Sequence, residues 1–170
     1  MADTEKILHV AIEKAVTLGS SYADCRYVEI DDESLSFSDG SPESVNRSTD
    51  RGFGIRVIAD GAWGFFGSSI LSESEALRAA QKAVEIAKAS ARLNDAPVEL
   101  APVSSYSGSY VSNFRIDPFT INLPEKIDYL ENLDRLMAKN DQINSRTAHI
   151  DFRKTSSYFV SSIGTEVNQT

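Results

Sequence analysis

The chain has 170 residues, of which 41% are hydrophobic and 25% charged, with a formal net charge of −8 and a pI near 4.8. This length and composition predict one globular domain, residues 1–170, with a core of its own. The acidic balance, without any run of Lys or Arg, argues against a nucleic-acid surface. No stretch is apolar enough for a membrane span.

The chain opens with a helix followed by strand patterns. Apolar residues at helical spacing predict a helix over residues 4–18. Alternating residues then predict two strands of a hairpin, with the polar residues 31–33 as the turn between them. A second turn is predicted at residues 38–42, and a short strand is predicted around Val45.

A glycine-rich stretch, RGFGIRVIADGAWGFFGSS, occupies residues 51–69. It lacks the third glycine and the lysine of a phosphate-binding loop, and Asp60-Gly61 is a strong signal for a two-residue hairpin turn. The stretch is therefore predicted to be a β-hairpin whose facing glycines permit close approach of other backbone. The turn sets the predicted register: Ile58 opposite Trp63, Ile55 opposite Phe66, and Gly54 opposite Gly67.

The remainder of the chain predicts two more helices and further strands. A capping pattern and an alanine-rich stripe predict a helix over residues 73–92. Residues 93–121 carry prolines and a Ser/Tyr/Gly run, which predict an irregular strap with short extended pieces. A third helix is predicted over residues 123–139, and strands over 144–154 and 157–163. Together these elements predict an α+β fold with helices packed on a largely antiparallel, twisted sheet.

The first and last thirds of the chain share a pattern. Each opens with Glu-Lys-Ile and runs through helix, strand, polar turn and strand to end in Val-Asn, at Asn46 and at Asn168. This order predicts a repeated helix–hairpin unit, with chance similarity as the alternative. The second copy stops at Thr170 in a strand-forming region, so we expect the chain to be a fragment of a longer protein.

No catalytic or metal-binding constellation can be assembled from the residues. His9 and His149 have no partner at the spacing of a zinc peptidase helix, and the Gly-x-Ser-x-Gly motif of serine hydrolases is absent. The lone cysteine, Cys25, lies in a strand pattern and is interpreted as a small core residue. We predict no catalytic residue and no metal ligand in this chain.

Several stretches resemble the N-terminal half of the TldD/PmbA family, and the TldD branch more than the PmbA branch. They are YADCRYVE, SLSFSDGSPESV, RGFGIRVIADGAWGFFGSS and SSIGTEVNQ. The resemblance implies a zinc metallopeptidase that hydrolyses peptides, from a family also labelled modulators of DNA gyrase. The family's metal motif, His-Glu-x-x-x-His with a later Cys, lies in the C-terminal half and is absent here. No metal or catalytic role is carried over to any position.

The resemblance implies a non-catalytic scaffold that helps to form a substrate cleft and a dimer. Zinc is expected in the full-length protein and no cofactor in this chain, so whether the chain itself is enzymatic is left open. The implied partners are a peptide or unfolded protein and a second subunit, in a homodimer or a TldD/PmbA-type heterodimer. The implied location is cytoplasmic, with no direct contact to nucleic acid or membrane.

Three residues are candidates for substrate contact: Arg51, Trp63 and Phe65. The alternative interpretation is packing for the two aromatic residues and a structural or solvent-facing role for the arginine. A rival function also remains at this point: a complete, non-enzymatic binding module that pairs with a peptidase or with another partner.

Overall fold

The computed structural model describes residues 2–170, which form three α-helices, one 3₁₀-helix and a six-stranded sheet. The helices are α1 (Ala2–Thr17), α2 (Glu73–Ala91) and α3 (Leu123–Met137), and the 3₁₀-helix is Pro118–Thr120. The strands are β1 (Tyr22–Ser38), β2 (Ser41–Ala59), β3 (Ala62–Ser68), β4 (Ser107–Tyr110), β5 (Thr147–Ser161) and β6 (Glu166–Gln169).

The strand order is β3-β2-β1-β5-β6-β4. The pairs β2–β3 and β5–β6 are antiparallel, whereas β4 pairs with β6 in parallel. The predicted α+β fold with a mostly antiparallel sheet is confirmed.

The described residues form two compact units. Unit 1 comprises the residues up to Glu29, Arg51–Val111 and Thr155–Thr170, and unit 2 comprises Ile30–Asp50 and Ser112–Lys154. The long strands β1, β2 and β5 contribute residues to both units.

Unit 1 has a core built from α1, α2 and one face of its strands. Leu8 and Ala11 of α1 are fully buried, and so is the alanine face of α2. Helix α2 begins where the Ser72 side chain accepts a hydrogen bond from the Glu75 backbone N–H, the cap that the sequence predicted. The strand residues of this core are Ala23, Cys25, Phe53, Ile55, Val57, Ala59, Tyr158 and Val160.

Helix α2 approaches β3 most closely at Gly64. A Cβ built on Gly64 would lie 1.9 Å from the Ala83 carbonyl oxygen and 2.9 Å from the Ala87 Cβ. The close approach of helix and strand therefore occurs at Gly64. The sequence had suggested the facing pair Gly54 and Gly67 instead. The aromatic ring of Phe65 lies over that pair instead.

Unit 2 has a smaller core beneath α3. The buried residues are Leu35, Phe37, Leu130 and Ala148, and partly buried apolar side chains of α3 and β5 pack against them. Helix α3 starts at the predicted place, where the Asn122 side chain accepts a hydrogen bond from the Glu125 N–H and Pro124 occupies the first turn.

The turns predicted at residues 38–42 and at Asp60-Gly61 contain left-handed backbone conformations. Asp39 and Gly40 have φ values of 45° and 89°, and Asp60 and Gly61 have values of 52° and 77°. Asp and Gly tolerate this region best, which explains their use here. The predicted register of the β2–β3 hairpin is confirmed: Ile58 pairs with Trp63, Ile55 with Phe66, and Gly54 with Gly67.

The predicted turn at residues 31–33 is wrong, because β1 runs through it without interruption. The reason is that each acidic side chain finds a partner elsewhere in unit 2. Thr49 donates to Asp31, Arg153 binds Asp32, and Arg47 and Lys126 bind Glu33. The sequence alone does not reveal these partners, so the run of carboxylates was interpreted as a solvated turn.

Other predicted strands were also shorter than the strands observed. The strand predicted around Val45 and the first strand of the glycine-rich hairpin are one strand, β2. The strands predicted over 144–154 and 157–163 merge into β5, and a separate β6 follows. Polar residues on an exposed strand weaken the apolar alternation from which strands are predicted.

The strap at residues 93–121 is irregular apart from β4 and the 3₁₀-helix. Its aromatic residues Tyr106, Tyr110 and Phe114 are exposed rather than packed. Backbone hydrogen bonds hold it instead, because Val98 donates to the Gly61 carbonyl and β4 pairs with β6.

The two segments of the suspected repeat have the same element order. Helix, strand, turn and strand are α1, β1 and β2 in the first segment, and α3, β5 and β6 in the second. A common origin for the two segments stays a prediction.

Gly64→Ala should destabilise the protein, because the added methyl collides with the α2 backbone and forces helix and strand apart. We expect a loss of about 1–3 kcal/mol in the free energy of unfolding, measured by urea denaturation. Gly67→Ala is the matched control on the same strand, because its Cβ would come no closer than 3.5 Å to any neighbour. Equal stabilities for the two variants would contradict the close packing of α2 on β3.

Candidate functional site

One face of the unit 1 strands carries an open groove of about 380 Å³. The groove residues of β1 alternate with the core residues Ala23 and Cys25, so they point to the face opposite α1 and α2. The residues that line it are Asp24, Arg26, Val28, Gly54, Arg56, Phe65 and Phe159.

A bidentate ion pair forms part of the groove wall. Arg56 donates from Nε to Asp24 Oδ1 at 3.0 Å and from Nη2 to Oδ2 at 2.7 Å. The Asp24 side chain is 4% exposed and that of Arg56 54%. This hydrogen bonding raises the pKa of Arg56, while burial and the neighbouring Asp24 raise the pKa of Tyr22 to about 12.

Arg26 supplies a second positive charge, and its partner is aromatic. Its guanidinium lies 5.3 Å from the centre of the Phe159 ring. Among the described residues no carboxylate lies within ion-pair distance of Arg26, whereas Asp24 neutralises Arg56. The groove therefore carries a net positive charge within a chain of net charge −8.

Trp63 and Phe65 lie on the groove face of β3. The Trp63 ring meets Tyr22 edge-on at 6.1 Å, and the Arg56 guanidinium lies 5.4 Å from its centre. Phe65 is 59% exposed and its ring crosses Gly54, where a Cβ would lie 2.9 Å from the ring. An aromatic ring packed over a strand glycine is a known device of β-sheets.

The structure brings two of the three predicted candidates together. Trp63 and Phe65 share the groove face, but Arg51 has the same alternation as the core residues Phe53 and Ile55. The sequence reasoning missed Arg26 and Phe159. For Arg26 a signal existed, since it alternates with small apolar residues in YADCRYV, but its pairing with Phe159 depends on strand order.

A buried charge cluster lies in unit 2. The Lys126 Nζ is 2.5 Å from Glu33 Oε1, and both side chains are 3% exposed. Arg47 binds the other carboxylate oxygen at 2.8 Å, and the Lys126 ammonium lies 4.9 Å from the Phe152 ring centre. Burial alone would raise the pKa of Glu33, but the hydrogen bonds from Lys126 and Arg47 outweigh it and lower that pKa.

The donor side chains that the structure describes do not fit a metal centre. Within residues 2–170 no group of three or more His, Cys, Asp or Glu side chains could hold a metal ion. His149 pairs with Asp151 at 2.7 Å, and His9 lies 4.0 Å from Glu166. Cys25 is fully buried, and burial raises its pKa well above the usual range, which makes the thiol a poor nucleophile.

In the part of the chain that the structure describes, no helix is both long and apolar enough to cross a membrane.

Comparison with known families points to one group of proteins. Residues 23–87 match the model described as PmbA/TldA metallopeptidase domain 1. This match likens residues 23–87 to the first domain of the PmbA/TldD family. A metalloprotease of Methanocaldococcus jannaschii is 29% identical over 115 residues, which are 68% of this chain and 25% of that protein.

Solved structures support the same fold. The chain superposes with a TM-score of 0.77 and 18% identity on a Bacteroides thetaiotaomicron protein described as a modulator of DNA gyrase. A Thermotoga maritima protein of the same description gives 0.74 and 15%, and TldE from Thermococcus kodakarensis gives 0.65 and 14%. These matches cover 96%, 96% and 98% of this chain. The chain spans only 38%, 36% and 36% of those structures.

The Glu33 cluster should make stability depend on acid pH. Because the folded pKa of Glu33 is lowered, its contribution is complete above the unfolded pKa, about 4.3, and is lost as the pH falls through the folded value. Glu33→Gln should cost about 3–5 kcal/mol at pH 7 by leaving Lys126 buried without its carboxylate, and should flatten the decline below that pH.

Urea denaturation between pH 7 and pH 3 measures both effects. The exposed Glu99 provides the control Glu99→Gln, which should keep the wild-type stability and slope. A Glu33→Gln variant with unchanged stability at pH 7 would contradict the buried pair.

The Cys25 thiol should resist modification in the folded protein. Burial keeps the reagent from the sulfur atom. The raised pKa keeps the thiol protonated, so little of the reactive thiolate forms. Reaction with a disulfide reagent at pH 8 should be slower in buffer than in 8 M urea by about 100-fold or more. Comparable rates in the two solutions would show that the unit 1 core opens readily.

Proposed function

We propose that the chain is the non-catalytic first domain of a larger metallopeptidase of the PmbA/TldD family. The observation that carries the proposal is the family match over residues 23–87 in a chain whose described donor side chains do not fit a metal. The coverage supports it, since the chain spans a quarter of the length of the curated relative. Residues 1–170 would act together as this domain, and the metal chemistry would belong to another part of the protein.

The role of such a domain would be to shape a substrate cleft. Strands β3 and β4 are the two edges of the sheet and offer backbone groups to an extended peptide or unfolded segment. Pairing through backbone groups tolerates many side-chain sequences, which suits a peptidase of broad specificity. Trp63 and Phe65 would add side-chain contacts on the open face. Arg51 does not share this face, so it would contact only a part of the substrate that extends past it.

The expected assembly is a dimer, either of identical chains or of a TldD-type with a PmbA-type subunit. A neighbour of this fold carries the name TldE, which supports a paired organisation in this group of proteins. We place zinc in the full-length protein and the protein in the cytoplasm, consistent with its single buried free cysteine.

A stand-alone binding module is the second candidate function. The unneutralised Arg26 beside exposed aromatic rings favours it, since these groups could bind a partner without any catalysis. The two candidates differ in whether the reading frame continues into a metal-binding domain.

Sequencing the gene beyond the Thr170 codon, together with a zinc assay, tests the proposal. We expect a continuation that contains His-Glu-x-x-x-His and a later Cys. The purified 170-residue chain should bind no stoichiometric zinc after dialysis, measured by atomic emission, and should not hydrolyse casein. A stop codon directly after Thr170 would favour the binding module, and one tightly held zinc per chain would contradict the assignment of metal chemistry elsewhere.

A further inference from the structure

We propose that the open groove of unit 1 binds an acidic side chain of a peptide, an Asp or Glu flanked by aromatic or aliphatic residues, with Arg26 as the anion-binding group. The inference goes beyond the proposed function, because it requires neither a metal nor hydrolysis. It assigns a ligand chemistry to Arg26 and Phe159, which no similarity to known proteins singles out.

The two arginines of the groove differ in their partners. Arg56 donates hydrogen bonds from Nε and one Nη to Asp24, so its charge is compensated within the groove. Arg26 makes a cation–π contact with Phe159 and, among the described residues, no ion pair. Its planar donors are therefore available for a carboxylate, and the Phe159 ring fixes the plane of the guanidinium in advance.

The shape and composition of the groove suit an acidic residue with apolar neighbours. The Phe65 ring lies over Gly54, and the rings of Phe65 and Phe159 provide the apolar walls of the groove. Phe65 remains 59% exposed although it is a large apolar ring. A ligand that supplied only a charge would leave these apolar rings exposed to water. An apolar residue next to the acidic residue of the peptide is therefore needed to cover them.

The donors on this face favour one source of the carboxylate. Backbone N–H groups in the middle of a sheet are used in the ladder, so this face offers side-chain donors and no cluster of free N–H groups of the kind that captures a peptide C-terminus. Asp24 in the wall repels polyanions, and one uncompensated arginine matches one negative charge. These features favour an internal acidic side chain over a terminal carboxylate or a phosphate.

The single tryptophan makes the test direct, because Trp63 stacks with Arg56 at the edge of the groove. A capped peptide with one Glu between Phe and Leu, in a glycine–serine background, is titrated into the purified 170-residue chain. Calorimetry measures the affinity, and the Trp63 emission reports whether binding occurs at the groove. We expect saturable binding with a change in emission, and an affinity that falls as salt concentration rises.

Two substitutions and two peptides make the result specific. Arg26→Gln should weaken binding by about tenfold or more, the loss of a charge-assisted hydrogen bond. Arg115→Gln removes the same charge from an exposed site on the strap and should leave the affinity unchanged. Replacing Glu by Gln in the peptide should cost as much as Arg26→Gln. Far-UV circular dichroism and thermal melting of each variant confirm that it is folded.

Several outcomes would overturn the proposal. They are no saturable binding, equal affinity for the Glu and Gln peptides, or no effect of Arg26→Gln in a folded protein. Binding only of an uncapped peptide without Glu would show that a terminal carboxylate is the ligand and that the assignment to an internal acidic residue is wrong. None of these outcomes depends on zinc or hydrolysis, so they leave the test of the proposed function separate.

Discussion

The packing of α2 against β3 at Gly64 is the contact on which unit 1 depends. There the helix backbone comes so near the strand that no Cβ fits between them. The alanine face of α2 extends this approach along the helix, because five of its seven buried residues are alanine. Close packing of α2 covers one face of β3 at Gly64, and Trp63 and Phe65 lie on the other face.

This separation of faces explains why the candidate site lies where it does. Strand alternation sends Ala23 and Cys25 into the core, and Asp24 and Arg26 to the open face. The open face then collects arginine and aromatic side chains from four strands. A surface that joins an uncompensated positive charge to exposed rings has the chemistry of a recognition site. Among the described residues, no group of three or more His, Cys, Asp or Glu side chains could hold a metal ion.

The charged side chains of the Glu33 cluster in unit 2 have a structural role. Glu33 and Lys126 are buried together, and Arg47 completes the partners of the carboxylate. A pair of this kind contributes little net stability over an apolar replacement, but breaking it is costly because one charge is left buried alone. It therefore ties the start of α3 to one position on β1 through a specific partner, where apolar contacts alone would tolerate a shift.

Local signals in the sequence were sufficient to determine the three α-helices, the two Asp-Gly turns and the register of the β2–β3 hairpin. Caps at Ser72 and Asn122 and the Asp60-Gly61 turn act through neighbouring residues, so their structural effect can be read without knowing the fold. The resemblance to the PmbA/TldD family was also visible in the sequence, and the glycine-rich hairpin is the most specific part of that resemblance.

Tertiary structure alone decided the lengths of the strands and the composition of the groove. The carboxylates at Asp32 and Glu33 belong to a strand because Arg153 and Lys126, more than 90 residues away in sequence, reach them. Arg26 and Phe159 likewise meet only because β1 and β5 are neighbours in the sheet. Such contacts depend on strand order, which is set by the packing of the whole chain and leaves no local pattern in the residues that make them.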